Sequence, residues 1–97
     1  MEFIHSSNQI AFYDEAGRLT AEVTFPDVDA DTVNINHTFV DDSLRGQGVA
    51  GQLMKAAAEQ LRSRNRKAVL TCSYAVNWFQ KHPEYGDVIK ECEETGE

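Results

Sequence analysis

The chain is short of the residues that mark a secreted scaffold or a membrane protein. Only two of its 97 residues are cysteine, Cys72 and Cys92, too few for a disulfide framework. Two free thiols suit a reducing compartment, so a cytoplasmic location is expected. No apolar stretch approaches the roughly 20 residues that span a bilayer, which argues against a membrane partner. Met1-Glu2-Phe3-Ile4-His5-Ser6 has neither a basic start nor an apolar block and does not read as a signal peptide. Repeats and linkers are missing, so the length implies one domain with one modest core.

Basic charge is scarce as well, and unevenly placed. Nine Lys and Arg stand against 16 Asp and Glu, a formal net charge of −7. Residues 1–44 hold nine acids and one base, Arg18. Residues 45–90 hold eight bases and three acids, and four acids follow from Glu91. No extended face interleaves basic with aromatic residues, which argues against a nucleic-acid partner. Half the chain is nonetheless basic enough to face an anionic ligand. Arg62, Arg64, Arg66 and Lys67 also fit an ordinary solvated helix end.

What is present is a glycine-rich run, Leu44-Arg45-Gly46-Gln47-Gly48-Val49-Ala50-Gly51-Gln52-Leu53. It follows a strand-like segment, Thr32 to Val40, and leads into Leu53, Met54, Ala57 and Leu61 at helical spacing. Glycines allow a close backbone approach, and a helix start leaves amides without partners at the positive end of its dipole. That combination is an anion site, most often for phosphate. No Gly-Lys-Ser/Thr follows, which excludes a Walker loop. Gly46 to Gly51 spells G-x-G-x-x-G, but the preceding strand would be the fourth in the chain. No acidic residue closes a second parallel strand either, so a dinucleotide fold does not fit.

The remaining segments read as short strands over Met1–Ser6, Gln9–Tyr13 and Arg18–Phe25, ended by Pro26. A helix is expected from Gln47 to about Asn65, a buried strand over Lys67–Cys72, and a second helix from Ser73 to before Pro83. Asp87 to Lys90 reads as a short last element and residues 91–97 as a flexible acidic tail. Asp27, Asp29 and Asp31 invite a calcium reading, but Thr32 and Thr38 stand where an EF-hand loop needs glycine and glutamate. A zinc site from His37, Cys72, His82 and Cys92 lacks paired ligand spacing, and no metal is expected.

Arg45-Gly46-Gln47-Gly48-Val49-Ala50 resembles the Q/R-x-x-G-x-G/A signature of the Gcn5-related N-acetyltransferases. His37-Thr38-Phe39-Val40, Cys72-Ser73-Tyr74 and His82-Pro83-Glu84-Tyr85 extend the likeness to the small members of that family, about one hundred residues long. The resemblance implies an α/β (α+β) fold over residues 1–90, a mixed, mostly antiparallel sheet with two main helices. It implies coenzyme A as cofactor, its pyrophosphate on the amides of Gly46, Gln47, Gly48, Val49 and Ala50 with Arg45 beside them. Phe39 and Val40 would align the pantetheine arm.

Catalysis is expected at Cys72 and His37. Cys72 precedes a helix whose dipole favours the thiolate, and a thiolate beside a thioester can carry an acetyl group. His37 shares strand parity with Val33, Ile35 and Phe39 and is expected to face Cys72 across the gap between splayed strands, as general base. The small family shares this pair. Against these roles, a buried cysteine is commonly a small hydrophobe and a strand histidine a core residue. Phe79 falls where larger relatives carry a proton-donating tyrosine, leaving Tyr74 or Tyr85 as substitutes. The function implied is acetyl transfer to an amine, whether polyamine, lysine side chain or protein N-terminus, which the acidic half would attract. The alternative is a binding or interaction module that kept the fold without the chemistry.

Overall fold

The computed structural model describes residues 2–90, so the expected acidic tail and Cys92 lie outside the described residues. Short turns organise the first half. The Ser6 amide donates to Gln9 O at 2.8 Å, joining β1 (Ile4–His5) to β2 (Gln9–Tyr13). Gly17, at φ 81°, completes the turn into β3 (Leu19–Thr24). These strands pair antiparallel, and β5 (His37–Val40) pairs antiparallel with β3, giving the order β1-β2-β3-β5. β4 (Thr32–Ile35) runs parallel to β6 (Lys67–Leu70).

The expected single strand over residues 32–40 is therefore two strands, β4 and β5, with Asn36 between them. Thr24 faces His37 and Asp27 bridges Val33, so three steps along one path match four along the other. That mismatch is a one-residue bulge, which bends a strand and shifts the side-chain alternation beyond it. Asn36 occupies it, accepting from the Thr24 hydroxyl at 2.7 Å. Val33 and Ile35 are fully buried on the helix side, whereas His37 and Phe39 emerge exposed on the other.

Helix α1 (Val49–Ser63) buries Val49, Leu53, Met54, Ala57, Ala58 and Leu61 against Ile10, Ala21, Val23 and Phe25 of the sheet. It ends in a Schellman turn, with Arg66 N–H to Leu61 O at 2.9 Å, Asn65 N–H to Arg62 O at 3.2 Å and Asn65 at φ 57°. Helix α2 (Ser73–Gln80) adds Ala75, Trp78 and Phe79 to the core. In place of the expected element at 87–90, a 3₁₀ segment spans Pro83–Val88 and Ile89 bridges Ala68 in parallel. The architecture is the expected one: a mostly antiparallel sheet with two main helices. The aspartates of the 27–31 loop bind the fold together, Asp27 pairing with Arg66 at 2.9 Å and Asp29 capping the Asp31 amide.

Candidate functional site

The site begins where β5 leaves β6. The amides of Thr71 and Cys72 both donate to Ile35 O at 3.2 Å, the last links before the two strands part. Beyond them β5 pairs only with β3. Asp41 N–H donates to Thr20 O at 2.7 Å, and Phe39 and His37 lie opposite Glu22 and Thr24. Peptide groups alternate in direction along an antiparallel ladder, so those of Thr38 and Val40 point into the gap.

Cys72 lines this gap as the N-cap residue of α2. Its Sγ lies 3.6 Å from Thr38 Oγ1 on the facing strand. Burial pushes the thiol up, but the Ala75 amide, the Thr38 hydroxyl and the amides of Tyr74 and Thr38 outweigh it, and its pKa falls below the ordinary thiol value. Those donors favour the anion.

His37 does not come to Cys72. The bulge at Asn36 turns it onto the open face of the sheet, where Nε2 stands 3.7 Å from the Glu22 carboxylate. This corrects the parity expected for it, because one extra residue reverses every later side chain. Thr38 takes the place facing the thiol. Phe39 follows His37 outward, so its side chain lies off the gap; Val40 turns inward against the core.

The glycine loop stands at the far end of β5. Asp41 caps a 3₁₀ turn over Asp42–Leu44, accepting from the Ser43 amide at 3.0 Å. Gly46 and Gly48 then adopt φ 82° and 73°, with nothing within 4 Å of where a Cβ would stand. Gly48 caps α1, so the amides from Gly48 through Gly51 have no intrahelical partner. Gln47 N–H is directed at Leu44 O instead, at 3.3 Å, and Arg45 pairs with Asp42 at 3.0 Å on the surface.

Beside this helix start opens a cavity of about 370 Å³, lined in part by Gly48, Gly51, Lys55, Trp78 and His82. Trp78 Nε1 and the Tyr74 hydroxyl stand 3.5 and 3.7 Å from where a Gly51 Cβ would be. Trp78 stacks on His82 at 3.9 Å. Tyr74 was expected as a substitute proton donor, whereas Trp78 was not read from the sequence as a donor. Trp78, with an apolar body and one N–H, carries the same letter whether it packs or binds.

A family profile described as GCN5-related N-acetyl-transferase matches residues 9–88. The chain belongs to the GCN5-related N-acetyltransferase family. The solution structure of a GCN5-like protein from Staphylococcus aureus is 35% identical, with TM-score 0.75, covering 99% of this chain and 96% of that one. A GCN5-related N-acetyltransferase from Escherichia coli, solved in complex with coenzyme A, is 28% identical with TM-score 0.57, over 64% of this chain and 38% of that one. Protein NATD1 of Xenopus tropicalis is 40% identical over 52 residues, 54% of this chain and 48% of NATD1. The chain thus spans about half the length of the curated relatives it matches.

Phe79 is 7% exposed and packs edge-on against Trp78 at 5.0 Å, so it belongs to the core. The Tyr85 hydroxyl donates to Glu59 at 2.8 Å, across on α1. Tyr74 is the phenol beside the glycine loop, and burial pushes its pKa up.

Proposed function

We propose that this chain binds acetyl-coenzyme A and passes the acetyl group to an amine by way of Cys72. One observation carries the reading: Cys72 Sγ lies 3.6 Å from Thr38 Oγ1 in a gap that leads, along β5, to the glycine loop. A strand advances about 3.3 Å per residue, so the four residues of β5 give an arm about 13 Å of guiding edge. The open amides of Gly48, Val49, Ala50 and Gly51 suit a pyrophosphate, with Gly46 and Gln47 shaping the turn and Arg45 nearby. The peptide groups of Thr38 and Val40 suit the amides of a pantetheine arm. The bound cofactor would supply the thioester.

The Cys72 thiolate attacks the acetyl carbon; a C–S bond to Cys72 forms and the bond to coenzyme A breaks, the electron pair leaving with the coenzyme thiolate. The amine then attacks acetyl-Cys72, forming the C–N bond and returning Cys72 to thiolate. Of the two protons the ammonium gives up, the coenzyme thiolate takes one and solvent the other, because His37 is turned to the open face of the sheet. Thr38 holds the Cys72 anion between these steps.

Calorimetric titration with acetyl-coenzyme A, followed by intact mass measurement, tests this. Saturable binding at one per chain, with an acetyl adduct lost in Cys72→Ala, is the expected result. Absence of heat together with an unchanged melting temperature overturns it. Saturable heat without any adduct would point instead to a binding module, the reading that Phe79 in the core favours.

A further inference from the structure

On the side away from the gap, the four-stranded sheet ends in an edge that is only partly covered. β1 pairs Ile4 with Ala11 and His5 with Ile10 and goes no further, so it leaves Phe12 and Tyr13 of β2 without a partner on that side. Gln9 O is turned toward β1, where it accepts from Ser6, and Asp14 N–H is turned inward, where it donates to Arg18 O. Alternation along the strand then turns the N–H and C=O of Tyr13 outward, onto the uncovered edge. An open groove of about 600 Å³ lies there, lined by Glu2, Ile4, Phe12, Tyr13, Asp14 and Glu15. Ile4 and Tyr13 are exposed at 56% and 43%, large side chains left to solvent. The charged part of the lining is all carboxylate. Asp14 accepts from the Ala16 and Arg18 amides and pairs with Arg18 at 3.4 Å. Glu2 and Glu15 pair with no base among the described residues.

We infer that this edge docks an extended protein segment that carries arginine among aliphatic side chains. Such a segment adds to β2 as a strand, its backbone meeting the N–H and C=O of Tyr13. Its aliphatic side chains cover Ile4, Phe12 and Tyr13, and its guanidinium groups pair with Glu2 and Glu15. Arginine suits the groove better than lysine, because its planar fork matches a carboxylate and stacks on a phenol ring such as Tyr13. The carboxylates also choose against the commonest rival. A bare strand edge invites a second copy of the same chain, but pairing this edge with itself would set Glu2, Asp14 and Glu15 against their own kind. Residues 1–44, with nine acids and one base, add a field of the same sign. Docking is independent of acetyl transfer. The order β1-β2-β3-β5 puts the groove on the opposite edge from the gap that holds Cys72. A guanidinium, protonated at any working pH, also offers no free amine to acetylate, so the segment is held there and not modified.

The probe is an end-blocked Arg-Val-Arg-Val-Arg-Val peptide. One control carries Glu for every Arg, and a second carries Pro for every Val and cannot complete a strand ladder. Amide resonances of the isotope-labelled full chain are expected to shift saturably at Ile4, Phe12, Tyr13 and Glu15 with the probe. Deuterium exchange of the Tyr13 amide is expected to slow, and neither control peptide should produce either effect. Glu2→Gln combined with Glu15→Gln keeps both side-chain shapes and is expected to raise the half-saturating concentration by about fivefold, with the melting temperature unchanged. Added salt is expected to weaken binding in the unaltered chain. No saturable shift at this edge, equal binding by either control peptide, or an unchanged half-saturating concentration in the double variant overturns the inference. An unchanged exchange rate at Tyr13 overturns the strand addition. A dimer joined through this edge in sedimentation overturns the choice of occupant, because a second copy would then fill the groove.

Discussion

At the scale of single residues, Cys72 and Thr38 form a unit that neither residue type announces. The amides of Ala75, Tyr74 and Thr38 and the Thr38 hydroxyl all act on the charged thiol. Groups that hydrogen-bond an anion lower its pKa, so alkylation of Cys72 by iodoacetamide should reach its plateau at lower pH than for an ordinary thiol. Thr38→Val removes one donor and should move that midpoint upward, with little loss of fold because valine fills the same half-buried volume. A midpoint unchanged in Thr38→Val would show that the hydroxyl does not act on the sulfur. The same lowering adds folding stability at pH above the unfolded thiol value, and this is lost as pH falls through the folded one.

At the scale of elements, the helices and most strands were legible because periodicity and punctuation agreed. Leu53, Met54, Ala57 and Leu61 repeat at helical spacing, Pro26 stops a strand, and glycines mark the helix entry. The bulge was not legible. Asn36 is one polar residue in a run that otherwise alternates well, and a single inserted residue leaves no periodic trace. His37 was therefore placed beside Cys72 and Phe39 beside the cofactor, when Thr38 holds the first position and both others face outward. Backbone conformation makes the loop testable. Gly48 at φ 73° has open space around it, so Gly48→Ala should cost about 1–2 kcal/mol through strain alone. Gly48→Glu should show that same loss in urea denaturation and, in addition, abolish acetyl-coenzyme A binding by setting a carboxylate before the amides. At the other end of α1, Asn65 holds a left-handed conformation at φ 57°. Asn65→Gly, removing the Cβ penalty, should raise the melting temperature slightly.

At the scale of the whole molecule, one hydrophobic core joins the sheet to both helices among the described residues. Phe25 is fully buried beneath α1, and Phe25→Ala should cost about 3–5 kcal/mol. Domains of this size have about 5–15 kcal/mol in all, so chemical denaturation should find the variant near the edge of folding at 37 °C. Ligand works in the opposite direction. Acetyl-coenzyme A at a hundredfold excess over its Kd should add about 2.7 kcal/mol, visible as a concentration-dependent rise in melting temperature.

The parting of β5 from β6 also writes a pattern in time. Along β5 the amides of His37, Phe39 and Asp41 turn toward β3, while those of Thr38 and Val40 turn into the gap. In deuterated solvent the second set should exchange faster than the first, Val40 fastest because the Thr38 amide is also held by the Cys72 sulfur, so that protection alternates along one strand. An extended molecule lying in the gap would slow the fast set and leave the slow set as it was, so the strand keeps a record of its occupant.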